Sequence, residues 1–210
     1  MREKDAATAI IFLRHGMTDF PHDRIYCDNR EDPPLNSQGL AQAQWAANLL
    51  ATSPIQAIYH SPTARTTITA SMAAKHHDVP MVALPTLMER RFGIWEGLYF
   101  HDIEQRYPDD YLAWKKDQAG YKPAGGGESF YELEERLQQC LQPLILQHAG
   151  ATLLIVSHVG PIRVCISSAL RMPLSMARQL NLDFAAISRI DYGSRNINLR
   201  YLNVIHDFKA

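Results

Sequence analysis

Two stretches of the chain end in residue types suited to chemistry. Ile10-Ile11-Phe12-Leu13 runs straight into Arg14-His15-Gly16, and Thr152-Leu153-Leu154-Ile155-Val156-Ser157 runs into His158-Val159-Gly160. A neutral imidazole is a nucleophile and proton carrier near neutral pH, and a guanidinium is a fixed cation with a planar fork of donors. Each apolar run reads as a strand buried on both faces, of the kind found at the centre of an α/β sheet. The polar residues then fall at the carboxyl ends of central strands, where open α/β sheets bind ligands. Strand ends on one sheet edge converge, so His15 and His158 are expected to face one another. Gly16 lets the backbone turn sharply or approach a ligand closely. Either histidine alone would pass for a structural residue; the matched pair marks a candidate site.

The elements that position these residues follow from pattern. Met17 to Leu35 is rich in turn formers, among them Pro21, Asp23, Asp28, Asn29, Asp32, Pro33 and Pro34. A loop this long in a compact domain is usually functional. Ser37 is expected to cap an Ala-rich amphipathic helix over Gln38 to Leu50. Ile55 to Tyr59 reads as a strand, and Pro62 suits the first turn of a helix from Thr63 to about Lys75. Met81 to Leu84 is a third short strand. Leu87 to Gly97, with two aromatics and two glycines, reads as a packed loop. A polar helix around Phe100–Arg106 is followed by a break at Pro108. The triple glycine 125–127 is a flexible joint, and Ser129 is expected to cap a helix from Phe130 to about Gln147, kinked at Pro143. After the second buried strand come a helix from Pro161 to Leu170 and a short one near Ser175–Arg178. Strands around Ala186–Tyr192 and Asn198–Val204 are joined by a turn at Gly193-Ser194. The pattern predicts one α/β domain spanning residues 1–210, a three-layer sandwich with a mostly parallel, mixed sheet flanked by helices. Residues 99–127 are expected to be a lid-like insertion over that sheet.

Composition narrows the function class. The 210 residues are 46% hydrophobic and 20% charged, with 21 Lys+Arg against 22 Asp+Glu and a formal net charge of −1. No basic excess points to nucleic acid or an anionic membrane surface. No apolar run approaches the ~18–20 residues that cross a bilayer. Cys27, Cys140 and Cys165 are scattered and odd in number, with neither zinc spacing nor a disulfide framework. Met1-Arg2-Glu3-Lys4-Asp5 lacks the apolar core of a signal peptide. The expectation is a cytoplasmic protein; a homodimer is compatible with the sequence, which fixes no oligomeric state.

At this point the chain resembles the histidine phosphatase superfamily, the phosphoglycerate-mutase-like fold. The resemblance rests on Leu13-Arg14-His15-Gly16-Met17-Thr18, on Pro34-Leu35-Asn36 with Gly39, and on Ser61-Pro62-Thr63-Ala64-Arg65-Thr66. It continues with Glu89 in Leu-Met-Glu-Arg-Arg-Phe-Gly-Ile-Trp-Glu-Gly, Gly127-Glu128-Ser129, and Val156-Ser157-His158-Val159-Gly160-Pro161-Ile162-Arg163. These blocks, in this order, span about residues 8 to 205. The resemblance implies that His15 accepts a phosphoryl group, that Arg14, Arg65 and His158 clamp its oxygens, and that Glu89 protonates the leaving alcohol and then activates water. A pocket that works by positioning and electrostatics needs no metal, and no cofactor is expected; Val159 is expected to give a backbone N–H to the phosphate, as helix N-termini do. Thr18 belongs to the same first block and is expected at the substrate.

Elementary chemistry supports those roles. Arginine forks match the equatorial oxygens of a phosphoester dianion, and positioning with electrostatic stabilisation carries such a transfer. A carboxylic acid that donates near neutral pH needs a raised pKa, and Phe92, Ile94 and Trp95 offer Glu89 the desolvation. The chain departs from the family in three places. Met17 replaces a common Glu, and Pro21 stands where an Asn usually holds phosphate, so His22 or Arg24 is expected to supply that donor. Asp28-Asn29 replaces a common Gln-Gly. The segment between Gly97 and Ser129 is shorter than the insertion of mutases, which favours hydrolysis over mutase transfer, although Glu89-Arg90 resembles the mutase pattern and Arg90 could grip a substrate carboxylate. The expected reaction is hydrolysis of a small-molecule phosphate ester, and the blocks around Glu89 and Gly127-Glu128-Ser129 are similar to those of α-ribazole phosphatases. A phosphoglycerate-type mutase and a non-catalytic phosphate-binding protein are the alternatives.

Overall fold

A computed structural model describes residues 6–21, 23–26 and 31–206. Three readings made from the sequence lie outside these residues: the charged start at Met1–Asp5, His22 as a phosphate donor, and Cys27 with Asp28-Asn29.

The apolar run at the start becomes β1 (Thr8–Arg14). The chain continues through α1 (Ser37–Leu50), β2 (Ile55–His60), α2 (Ala64–Ala74), β3 (Met81–Ala83), α3 (Phe100–Arg106), α4 (Pro108–Lys116) and α5 (Phe130–Gln147). It ends with β4 (Thr152–Ser157), α6 (Val159–Ala169), a 3-10 turn at Leu174–Gln179, and the strands β5 (Ile187–Tyr192) and β6 (Ile197–Val204). The six strands form one sheet in the order β3-β2-β4-β1-β5-β6. β1, β2, β3 and β4 are mutually parallel, while β5 runs antiparallel to both β1 and β6. This is the mixed α/β sandwich that the strand pattern predicts.

The three layers follow from side-chain alternation along the strands. Ile10 and Phe12 of β1, with Leu153 and Ile155 of β4, face a core shared with α5 and α6. Ile11 and Leu13, with Leu154 and Val156, face the opposite core with Ala46, Ala47 and Leu50 of α1 and Ala70 and Ala73 of α2. Both faces of the central strands are therefore apolar, and a continuous hydrophobic run is what such a strand requires. Trp95, Ile103 and Trp114 form a third, separate cluster that holds the insertion together.

Helix boundaries differ from the sequence reading where caps decide them. The cap of α1 is Asn36, whose side-chain oxygen accepts from the Gly39 N–H at 2.8 Å, and Ser37 is already inside the helix. α2 starts after Thr63, so Pro62 precedes the cap instead of filling the first turn. Pro108 ends α3 but opens α4 at its first position, where a missing N–H costs nothing. α6 begins at Val159, two residues before Pro161, placing its N-terminus against the strand end. Ser129 does cap α5, in a full capping box with Glu132, and that helix continues beyond Pro143 to Gln147. The loop 87–97 carries 3-10 turns at Pro85–Leu87 and Gly93–Trp95. Among the described residues no helix is long and apolar enough to cross a membrane.

Candidate active site

β1 and β4 are level at their ends: Arg14 pairs with Ser157, and the His15 N–H donates to the Ser157 carbonyl at 3.1 Å. That register carries His15 and His158 off adjacent strand tips at the same height. Their rings meet edge to face with centroids 5.3 Å apart. The chain beyond β1 must pass tightly against α1 to leave this tip open. A Cβ on Gly16 would lie 2.4 Å from the Gly39 carbonyl oxygen, and one on Gly39 only 2.0 Å from that of Met17. No side chain fits at either position.

Hydrogen bonds set the state of both imidazoles. His15 Nδ1 lies 2.8 Å from the Gly16 carbonyl oxygen, which can only accept. Nδ1 therefore carries the proton and Nε2 keeps its lone pair. His15 is only 5% exposed. Burial, followed by the charges of Arg14 and Arg65, holds its pKa well below the ordinary imidazole value. His158 Nδ1 lies 3.2 Å from Arg65 Nη2, which can only donate. His158 thus holds its proton on Nε2 and donates it to Ser61 Oγ at 2.8 Å. Its pKa is likewise pushed well down, first by burial and then by Arg65.

The guanidiniums arrive from three elements. Arg14, at the end of β1, donates from Nη1 to the Leu182 carbonyl at 2.6 Å and lies 3.9 Å over the Phe184 ring. Burial brings its pKa down to about 10, which leaves it cationic at neutral pH. Arg65, in the first turn of α2, is 1% exposed; Asp32 accepts from its Nη1 at 3.3 Å, and the Tyr26 ring lies 4.7 Å away. Asp32 also accepts the Ala64 N–H at both oxygens, tying the 31–35 loop to the start of α2. Arg163, one turn into α6, donates from Nε to the Leu180 carbonyl at 2.8 Å.

Glu89 is buried in the loop after β3. Its Oε1 accepts the Arg90 N–H at 2.8 Å, and its Oε2 accepts the Gly160 N–H at the start of α6 at 3.1 Å. A Cβ on Gly160 would come 2.1 Å from Oε1, so glycine is what lets the helix N-terminus reach this carboxyl. Those two bonds and the nearby arginines favour the carboxylate, yet burial outweighs them and the Glu89 pKa is raised. The loop carrying it is fixed from α5. Arg136 forms a fork on Glu128, with Nε to Oε1 and Nη2 to Oε2 both at 2.8 Å. Its Nη1 also donates to the carbonyls of Thr86 and Met88 at 2.7 and 3.1 Å.

These side chains border one cavity of about 330 Å3. Arg14, His15, Thr18, Arg24, Arg65, Glu89, Arg90, His158 and Val159 all line it. Thr18 Oγ1 lies 3.3 Å from the Tyr26 hydroxyl. Arg24 donates to the Gly97 carbonyl at 2.8 Å and pairs with Glu31 at 3.3 Å. Arg90 donates from Nε to the Glu128 carbonyl at 2.5 Å and from Nη2 to that of Tyr121 at 3.1 Å, which ties the Glu89 loop to the insertion. Pro21 is at the cavity wall, while the Met17 N–H is taken by Gln42 Oε1. Phe20, Tyr26, Arg163, Arg178 and Phe184 also line the cavity, and none was singled out from the sequence as a site residue. Arg163 had a signal, since it closes the block that begins at Val156 and contains His158. Arg178 ends the short helix expected near Ser175–Arg178, while Phe20, Tyr26 and Phe184 come from irregular segments with no periodicity to read.

The chain is similar to several known proteins. Relatives in mycobacteria, among them the bifunctional protein Rv2228c of Mycobacterium tuberculosis, are 36% identical over 186 residues, covering 88% of this chain and 50% of theirs. The chain thus spans about half the length of those relatives. Phosphoserine phosphatase 1 of Hydrogenobacter thermophilus is 28% identical over 195 residues, covering 93% of this chain and 92% of its own. The crystal structure of the α-ribazole phosphatase from Shigella flexneri superposes with a TM-score of 0.83 at 28% identity, over 93% of this chain and 96% of that one. The sequence profile of the histidine phosphatase superfamily, branch 1, matches residues 10–205. The chain belongs to that superfamily.

Proposed function

We propose that the protein hydrolyses small-molecule phosphate monoesters through a phosphohistidine on His15. The observation that carries this reading is the state of His15: neutral, with Nδ1 tied to the Gly16 carbonyl and Nε2 left as a nucleophile. Phosphatase relatives support the reaction class.

The steps follow from the residues. Nε2 of His15 attacks phosphorus and the ester P–O bond breaks. Arg14 and Arg65 take the charge on the equatorial oxygens, with the Val159 N–H at the start of α6. His158 acts through Arg65, whose Nη2 it fixes. Thr18 and Arg24 border the leaving-group side. Glu89, whose pKa burial raises, gives its proton to the departing alkoxide. The resulting carboxylate then takes a proton from water, which attacks phosphorus. The N–P bond breaks, phosphate leaves, and both His15 and Glu89 return to their starting states. The insertion 99–127, which contributes Phe100 and Trp114 to the cavity, is the lid of this site in the proposal. Unpaired thiols at Cys140 and Cys165 fit a cytoplasmic setting.

Phosphate release from an ester, followed against pH, tests the proposal. His15 must be deprotonated and Glu89 protonated in the free enzyme. Activity therefore rises as pH climbs through the lowered His15 pKa and falls as pH climbs through the raised Glu89 pKa. The expected profile of kcat/KM is a bell with its acid limb well below the usual imidazole range. Stoichiometric inorganic phosphate is the expected product. Isomerisation of 2- or 3-phosphoglycerate without phosphate release would instead establish a mutase, and tight phosphate binding without turnover a binding protein.

A further inference from the structure

The cavity wall carries more positive charge than one phosphoryl group uses. Among the described residues, six arginines line it against two acids, Asp23 and Glu89, and Glu89 is held toward its neutral form. Arg24 and Arg65 have carboxylate partners in Glu31 and Asp32, and Arg90 is tied to backbone carbonyls. Arg14 stands next to His15. Two cations remain, Arg163 and Arg178, and among the described residues neither has a carboxylate within 4 Å.

Both are held in place by groups that leave their charge unbalanced. Arg163 uses Nε on the Leu180 carbonyl, which leaves its two terminal nitrogens. Arg178, from the 3-10 turn 174–179, lies over the Trp114 and Phe100 rings at 5.1 and 5.6 Å. Those rings orient the guanidinium and desolvate one of its faces without neutralising it. Burial lowers the basicity of Arg163, and the charge of Arg178 lowers it further against the opposing pull of Glu89, so Arg178 lies close enough to be felt. Two like charges side by side on a cavity wall stabilise an incoming anion and disfavour a neutral group.

We propose that Arg163 and Arg178 form a second anion site, and that the substrate is a phosphate monoester whose alcohol portion carries its own carboxylate or second phosphate. The inference rests on the hydrolysis reading above and deepens it by naming the substrate class. With the scissile phosphoryl group at His15, the remote anion sits between the α6 arginine and the aromatic-backed Arg178. Planar guanidinium forks suit either a carboxylate or a phosphate.

Three esters test the inference by phosphate release: 3-phosphoglycerate, propane-1,3-diyl bisphosphate, and glycerol 3-phosphate as the neutral-tailed counterpart. The expected kcat/KM is about tenfold to a hundredfold higher for at least one anionic-tailed ester than for glycerol 3-phosphate, the range for a lost charged hydrogen bond. The larger gain identifies carboxylate or phosphate as the remote group. Arg163→Gln and Arg178→Gln should each bring that ratio toward one, and Arg178→Lys should keep part of it. Equal turnover of all three esters would overturn the second site while leaving hydrolysis standing, as would full discrimination retained in both Gln variants. No phosphate released from any ester by the wild-type protein would overturn both.

Discussion

His15→Ala is expected to lose about 10⁴-fold or more in kcat, the scale on which removal of a covalent nucleophile acts. The imidazole is the group on the cavity wall with a free nitrogen lone pair aimed by its own backbone, through Nδ1 and the Gly16 carbonyl. His158 cannot replace it. Its Nδ1 is occupied by Arg65 and its Nε2 proton by Ser61. Inorganic phosphate should still bind, because Arg14 and Arg65 are held by contacts that do not involve His15: the Leu182 carbonyl and Phe184 for one, Asp32 and His158 for the other. Calorimetric titration with phosphate alongside a turnover assay separates the two effects. A variant that still turned over esters at the wild-type rate would remove His15 from the mechanism.

The second large effect is selective. Glu89→Gln retains the shape of the side chain and one acceptor for the N–H groups of Arg90 and Gly160, but loses the transferable proton. General acid catalysis is worth about 10²–10⁴-fold, and an alkoxide needs that proton while p-nitrophenolate does not. Alkyl phosphates should therefore slow by roughly that factor in the first chemical step. With p-nitrophenyl phosphate the first turnover should remain fast, giving a burst of p-nitrophenol, because the carboxylate is then missed only when water attacks the phosphoenzyme. The alkaline limb of the pH profile should vanish with the carboxyl group. Equal slowing of both leaving groups in the first turnover would show that Glu89 donates no proton.

Much of this was legible in the sequence because strand chemistry is local. A residue buried on both faces of a sheet has to be apolar, so Ile10 to Leu13 and Thr152 to Val156 declare themselves, and the polar residues that follow fall at the strand tips. The level register of Arg14 with Ser157 then brings the two histidines together. The amphipathic α1 and the capped α5 were equally readable, although the α1 cap moved by one residue, because Asn36 has an oxygen within reach of the Gly39 N–H.

What stayed hidden depends on contacts between distant, irregular segments. Phe184 and Leu182 support Arg14 from a loop that carries no periodic signal. Arg178 sits in a 3-10 turn and becomes part of the cavity only because α3 and α4 bring Phe100 and Trp114 against it. Arg136 looks like one more solvent-facing cation on a long helix. It is instead a tie to Glu128 and to the carbonyls of Thr86 and Met88, and so holds the loop bearing Glu89. Arg90 shows the converse: a residue that reads as a free substrate ligand has two donors committed to backbone carbonyls.

Rapid quenching of the protein with a ³²P-labelled ester, followed by peptide mapping under alkaline conditions, asks directly whether phosphate resides on an imidazole. The label should appear within the first turnover on the peptide containing His15, be stable to alkali and labile to acid, and disappear in His15→Ala. Label on any other residue, or turnover at the normal rate with no labelled protein at any time point, would contradict transfer through His15 Nε2.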